Sequence, residues 1–229
     1  MALVALVSAN YAAGCGVVAD LSPDAALLSG VKSPQSLKRL EKSLPSVPWG
    51  VRAETLTEET AQAYQERGCD MLAFSLESTP VSALSSEDMA RVLCLDPDVN
   101  ERQLRSIDPL PVDVLLVSAF NQGASWTLSD LATIAAISRR VDKYILVEVS
   151  QPPGKKDLEA LRNTGVHGLV LDVASVSSES LKDLKAALLK MPRQQTGRRE
   201  RYTALLSGSA FSLEQEQARE EPEEDDEDF

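Results

Sequence analysis

YILVEVSQPPGKKDLEALRNTGVHGLVLDV, residues 144–173, decides the fold. It holds two short apolar runs, YILVEVS (144–150) and GLVLDV (168–173), with a polar helical stretch between them at Lys155–Asn163. Runs this apolar bury both faces, as strands of a parallel sheet covered by helices do. Each run nevertheless carries one carboxylate near its end, Glu148 and Asp172. An acid in such a place needs a cation, a bound ion or hydrogen-bond donors to offset its lost hydration.

The same unit repeats along the chain. Further strands are expected at LVALVSA (3–9), AALLSG (25–30), PWGVRAE (48–54), MLAFSLE (71–77) and DVLLVSA (113–119). Helices are expected over Pro34–Ser43, Thr57–Arg67, Thr127–Arg140, Lys155–Asn163 and Ser178–Lys190. Thr57 with two acids after it reads as a helix start, and Gly68 as its C-cap. The longest connection, Ser78–Pro111, reads as two short helices at Ser86–Leu93 and Asn100–Ser106. Strands alternating with helices in this number fit a TIM-type (β/α) barrel of seven or eight parallel strands. An open doubly wound sheet would be expected to show a Gly-rich nucleotide turn, and the chain has no G-x-G-x-x-G. For the eighth strand the candidate is TALLSG (203–208), which echoes AALLSG (25–30); the alternative is a seven-stranded or open barrel. The expected division is a β/α barrel over 1–208 and a disordered acidic tail over 209–229.

Composition narrows the function classes. The 229 residues are 43% hydrophobic but only 4% aromatic, so Leu, Val and Ala must fill the core. The net charge of −12 is concentrated at one end, because residues 214–229 hold ten acids and one Arg. Just before them, KMPRQQTGRRER (190–201) carries five bases and one acid. An acidic neighbour competing for those bases, and few aromatics for stacking, argue against a nucleic-acid partner. No apolar run reaches the roughly 20 residues of a membrane helix. MALVALVSANYAAGC lacks the basic n-region of a signal peptide and reads better as a first strand. Cys15, Cys69 and Cys94 are widely spaced with no C-x-x-C, so three reduced thiols in a cytoplasmic protein are expected. The single histidine, His167, sits at the start of a strand and reads as structural.

In a barrel of this kind, chemistry sits at the C-terminal ends of the strands. The polar residues there are Ser8 and Asn10, Ser29, Arg52 and Glu54, Ser75 and Glu77, Ser118 and Asn121, Glu148 and Ser150, and Asp172. By period-2 alternation Arg52 and Glu54 share a face, as do Ser75 and Glu77. The candidate site is therefore Arg52, Glu54, Glu77, Glu148 and Asp172 around one mouth. Arg52 would grip an anionic group through its planar fork. Glu148 and Asp172 would hold a hard divalent cation, Mg²⁺ or Mn²⁺, through carboxylate oxygens. The competing reading makes these residues a structural ion-pair network, or lets a lone acid cap a loop amide. The loop after the last of these strands, Asp172–Ser178, has no glycine for a phosphate cradle, and Ser177 or Ser178 reads as a helix N-cap. No Lys ends a strand, which argues against Schiff-base chemistry.

WGVRAETLTEETAQAYQERGCDMLAFSLESTPVSA (49–83) and GVHGLVLDVASVSS (165–178) resemble the metal-dependent 4-hydroxy-2-oxo-acid (pyruvate) aldolases. The resemblance implies a barrel with Arg52 as the substrate-binding Arg. Aligned this way, Glu148 takes a Gln position, Ser150 replaces a metal-binding Glu, and the second ligand Asp falls at about Ser175, so the metal ligands are not matched. Two functions stay open. One is a lyase or isomerase acting on a small anionic metabolite. The other is a non-catalytic barrel that binds a protein partner through its surface and tail, with a homo-oligomer compatible with either.

Overall fold

The structure is a computed structural model that describes residues 1–10, 14–37, 44, 47–120 and 125–191. Eight parallel strands close into a barrel in chain order: β1 (Ala2–Ser8), β2 (Ala25–Ser29), β3 (Trp49–Arg52), β4 (Met71–Ser75), β5 (Ala90–Leu95), β6 (Val114–Phe120), β7 (Tyr144–Val149) and β8 (Gly168–Asp172). Among the described residues the helices are α1 (Gly14–Leu21), α2 (Glu58–Gln65), α3 (Glu101–Ile107), α4 (Leu128–Arg140), α5 (Lys155–Asn163) and α6 (Ser178–Lys190). Short 3₁₀ turns occupy Pro34–Leu37 and Val81–Leu84. This is the TIM barrel that the sequence predicts.

One strand assignment is corrected. The strand missing from the sequence reading is β5, ARVLCL (Ala90–Leu95), which overlaps the helix expected at Ser86–Leu93. Val92, Leu93 and Leu95 are buried there, and β5 pairs with β4 and β6. The barrel then closes between β8 and β1, with Leu3 opposite Leu169 and Leu6 opposite Asp172. TALLSG (203–208) is not needed for closure. It lies, like the acidic tail, outside the described residues, in the unit Arg193–Phe229 that follows the barrel unit Met1–Pro192. Most other boundaries fall close to expectation, and α5 and α6 coincide with it; α1 is an addition to the expected helices, and Pro34–Ser43 shows a 3₁₀ turn at Pro34–Leu37, with 38–43 outside the described residues.

The apolar runs bury both faces. Val4, Leu6, Ala25, Leu27, Ala73, Val92, Leu116 and Val170 fill the barrel interior. Their alternate neighbours pack outward against helix residues such as Val18, Ile134, Leu161 and Leu184. Gly50 and Gly168 hold inward positions. A Cβ on Gly50 would lie 2.0 Å from Met71 Cγ and 2.5 Å from the Met71 carbonyl oxygen. On Gly168 it would lie 2.7 Å from Leu146 Cδ2. The missing side chains leave room for Met71 and Leu146 to fill the interior.

A two-point contact recurs at the N-terminal rim. The residue just before each even-numbered strand donates its N–H to the carbonyl of a residue on the preceding strand and accepts that residue's N–H on its side chain. Asp24 does this with Leu3 (2.9 and 2.7 Å), Asp70 with Trp49 (2.8 and 2.9 Å), and Asp113 with Arg91 (2.9 and 2.8 Å). His167 does it with Ile145 (2.8 Å, and 3.0 Å to Nδ1). The separations are 21, 21, 22 and 22 residues. Early strand N–H groups thus find acceptors where the ladder has not yet begun. The barrel is built from four two-strand units with a common edge.

Helix starts follow the sequence signals. Thr57 Oγ1 accepts from Thr60 N–H (3.2 Å), and Thr60 Oγ1 accepts from Thr57 N–H (2.9 Å). This reciprocal box satisfies two end groups of α2. Thr57→Ala is expected to cost about 1 kcal/mol and to lower the melting temperature by about 3 °C, read by thermal denaturation. At the other end Gly68 has φ +77°, the left-handed conformation that closes a helix. Ser177 caps α6 as expected, accepting from Ser180 N–H at 3.2 Å.

Candidate active site

Alternation along each strand turns one residue near its C-terminal end toward the barrel axis. Going round the barrel these are Ser8, Ser29, Arg52, Ser75, Cys94, Ser118, Glu148 and Asp172. All eight are polar or thiol-bearing, and they sit above an apolar interior. The mouth is therefore chemically distinct from the barrel beneath it.

Arg52 organises its centre. Its Nη1 donates to Glu148 Oε2 at 2.9 Å and its Nη2 to Ser118 Oγ at 3.3 Å. The link joins β3 to β6 and β7 across the opening. The two charged side chains keep 32% and 25% of their surface exposed, so the pair is wet on one side and open to exchange. A pair this exposed stabilises weakly, and a ligand can compete for the guanidinium.

Cys94 is the member of the ring absent from the expected strand ends, because the start of its strand also suits a helix. Burial pushes its thiol pKa up, the Arg52 guanidinium pulls it back and Glu148 raises it again. The thiol stays protonated at neutral pH and is not a ready nucleophile. Its signal was present in Val92-Leu-Cys-Leu95, an apolar run ended by Asp96-Pro97-Asp98. Cys15, Cys69 and Cys94 are all free thiols.

The other expected site residues are placed differently. Asp172 turns to its own loop: Oδ1 accepts the Ala174 N–H at 2.9 Å, which is the amide-capping role weighed for a lone acid. Glu54 and Glu77 lie beyond the ends of β3 and β4, exposed, because alternation stops where a strand stops. Ser75 Oγ instead meets Ser78 Oγ at 2.6 Å, and Ser78 Oγ donates to the Glu54 carbonyl at 3.2 Å. Asn121 lies outside the described residues. Arg52 and Glu148 are thus in direct contact, and among the described residues no hydrogen bond or ion pair joins either of them to Glu54, Glu77 or Asp172. Among the described residues, no three His, Cys, Asp or Glu side chains form a group able to hold a metal ion.

A cavity of about 680 Å³ opens on the β1–β3 side of the mouth. Asn10, Lys32, Glu54, Glu59, Thr60 and Tyr64 are among its lining residues. Arg52 and Glu148 do not line it, although β3, which carries Arg52 at its end, leads directly into Glu54. His167 lies at the opposite, N-terminal end of the barrel, as its structural reading requires.

No family model matches the chain, and no curated protein matches it. Solved structures do. A mutant tryptophan synthase alpha-subunit from Pyrococcus furiosus is 13% identical at a TM-score of 0.63, over 82% of this chain and 96% of that one. A second mutant of that subunit is 14% identical at 0.64, over 83% and 98%. Thiamine phosphate pyrophosphorylase from Pyrococcus furiosus is 11% identical at 0.60, over 82% and 95%. The chain is a TIM barrel. Identities this low speak for the barrel alone. Among the described residues, no helix is long and apolar enough to cross a membrane.

Proposed function

We propose that the mouth binds a small anionic metabolite, with Arg52 as the clamp for its carboxylate or phosphate. The observation that carries this reading is the Arg52 guanidinium held inside the ring of strand ends by Glu148 and Ser118, and still one-third exposed. An incoming oxyanion offers the fork two acceptors in one plane, which Glu148 and Ser118 together only approximate. On displacement, the Glu148 carboxylate is left beside the ligand as a proton acceptor. That is the minimum equipment for proton abstraction next to a carbonyl, as in a lyase or isomerase. The neighbouring cavity is of ordinary size for a small-molecule site.

A divalent ion, Mg²⁺ or Mn²⁺, would enter by replacing Arg52 at Glu148, so ion and clamp compete for the same carboxylate. A second reading has its own support. Glu148 and Asp172 already have partners, Arg52 and the Ala174 amide, which suits a non-catalytic barrel that binds a protein partner.

Thermal shift separates the two. Inorganic phosphate, pyruvate and a pentose phosphate are each added to the full chain, with and without Mg²⁺ or Mn²⁺. A ligand at about 100 times its Kd stabilises by about 2.7 kcal/mol, a rise of about 5–10 °C for a domain this size. The rise should vanish in Arg52→Gln. A flat response to every anion, with or without metal, supports the partner-binding reading.

A further inference from the structure

We infer that His167 is an acid-sensitive latch on the seam where the barrel closes. In three of the four two-strand units the rim acceptor is a carboxylate: Asp24, Asp70 or Asp113. In the last it is the chain's one imidazole, His167, whose Nδ1 accepts the Ile145 N–H at 3.0 Å. A carboxylate keeps its acceptor oxygens throughout the mildly acidic to neutral range. An imidazole loses its acceptor lone pair on protonation, when both ring nitrogens become donors. Protonated Nδ1 would then confront the Ile145 N–H donor to donor.

The position matters because His167 also carries the seam. Its carbonyl accepts the Ala2 N–H at 2.8 Å, the first contact between β1 and the chain leading into β8. Loosening His167 therefore loosens β7, β8 and β1 together. The titratable groups that face the ring are Tyr144 on β7 and the amino terminus ahead of β1. The Tyr144 ring meets the imidazole edge-on, with centroids 5.1 Å apart at 86°. The turn from α5, Thr164-Gly165-Val166, brings no ionisable side chain. Burial, and then the positive charge of the amino terminus, disfavour the imidazolium and lower the pKa from its usual value. A histidine with a lowered folded-state pKa contributes stability above its ordinary value, near 6.5, and loses it as pH falls through that value toward the folded one.

The test is amide hydrogen exchange on the full chain, corrected for intrinsic rates, between about pH 7.5 and 5.5. One proton with an ordinary value near 6.5 raises the opening equilibrium by at most about tenfold over that span. The Ile145 amide should lose protection by up to that factor. The Trp49 and Arg91 amides, away from the seam and with carboxylate acceptors, serve as internal controls and should stay flat. His167→Asp restores the acceptor of the other three units, and His167→Asn supplies a neutral one; both should abolish the Ile145 response. A flat Ile145 response in the native chain, or an equal one in the folded variants, overturns the proposal.

Discussion

Gly50→Ala is expected to destabilise the barrel by about 3 kcal/mol, at the upper end of what overpacking a filled interior costs. The added Cβ meets two different obstacles. Met71 Cγ, at 2.0 Å, belongs to a flexible side chain and can swing aside into another rotamer. The Met71 carbonyl oxygen, at 2.5 Å, belongs to β4, whose backbone is fixed by its ladders to β3 and β5. Relief there requires the β3–β4 pair to spread, and a closed barrel passes any spreading on to its neighbours. About 3 kcal/mol is a large share of the 5–15 kcal/mol a domain possesses, and it amounts to a fall of about 6–12 °C in melting temperature. Gly50→Ala combined with Met71→Ala removes only the side-chain part of the clash. What Gly50→Ala still costs in a Met71→Ala background, read by thermal or denaturant unfolding, measures the backbone part. A Gly50→Ala protein melting within about 2 °C of the native one would show that the interior is looser than this packing implies.

Most of this architecture was legible because its signals are local. YILVEVS and GLVLDV announce strands buried on both faces, and Thr57, Ser177 and Gly68 mark helix ends with residues chosen for that geometry. The failure at ARVLCL has a physical reason. Six residues of mixed polarity, opening with Ala and Arg, suit a helix as well as a strand, and only their ladders with β4 and β6 decide. The rim acceptors were legible but unread: an acid or histidine directly precedes each of four strand starts, 21 or 22 residues after the amide it serves.

The site was half legible. Arg52 and Glu148 are 96 residues apart, and a barrel brings them together because both occupy the last inward position of their strands. Glu54 and Glu77 lie past the strand ends, where no inward face continues beyond Arg52 or Ser75, and Glu54 lines the neighbouring cavity instead. Asp172 keeps its place in the ring, and one of its carboxylate oxygens accepts the Ala174 amide, a local side-chain-to-backbone bond that alternation does not encode.

The second large effect concerns the sign of a substitution. If Arg52 is an anion clamp restrained by Glu148, then Glu148→Gln removes the charge competing for Nη1 while keeping the side chain's shape. Anion affinity should rise, by about fivefold, as one charge-assisted hydrogen bond gives way to a neutral one. Arg52→Gln removes the clamp itself. The loss of charge-assisted bonds worth about 1.5–3 kcal/mol corresponds to about 10- to 150-fold weaker binding. A metal-ligand role for Glu148 reverses the first sign, because the amide is a poorer ligand for Mg²⁺ or Mn²⁺. The decisive measurement is a calorimetric titration of the best-responding anion from the thermal screen into native, Glu148→Gln and Arg52→Gln proteins, without divalent metal. The clamp requires tighter binding in the first variant and at least tenfold weaker binding in the second. No anion binding by the native protein, or Arg52→Gln binding as well as the native chain, would contradict it.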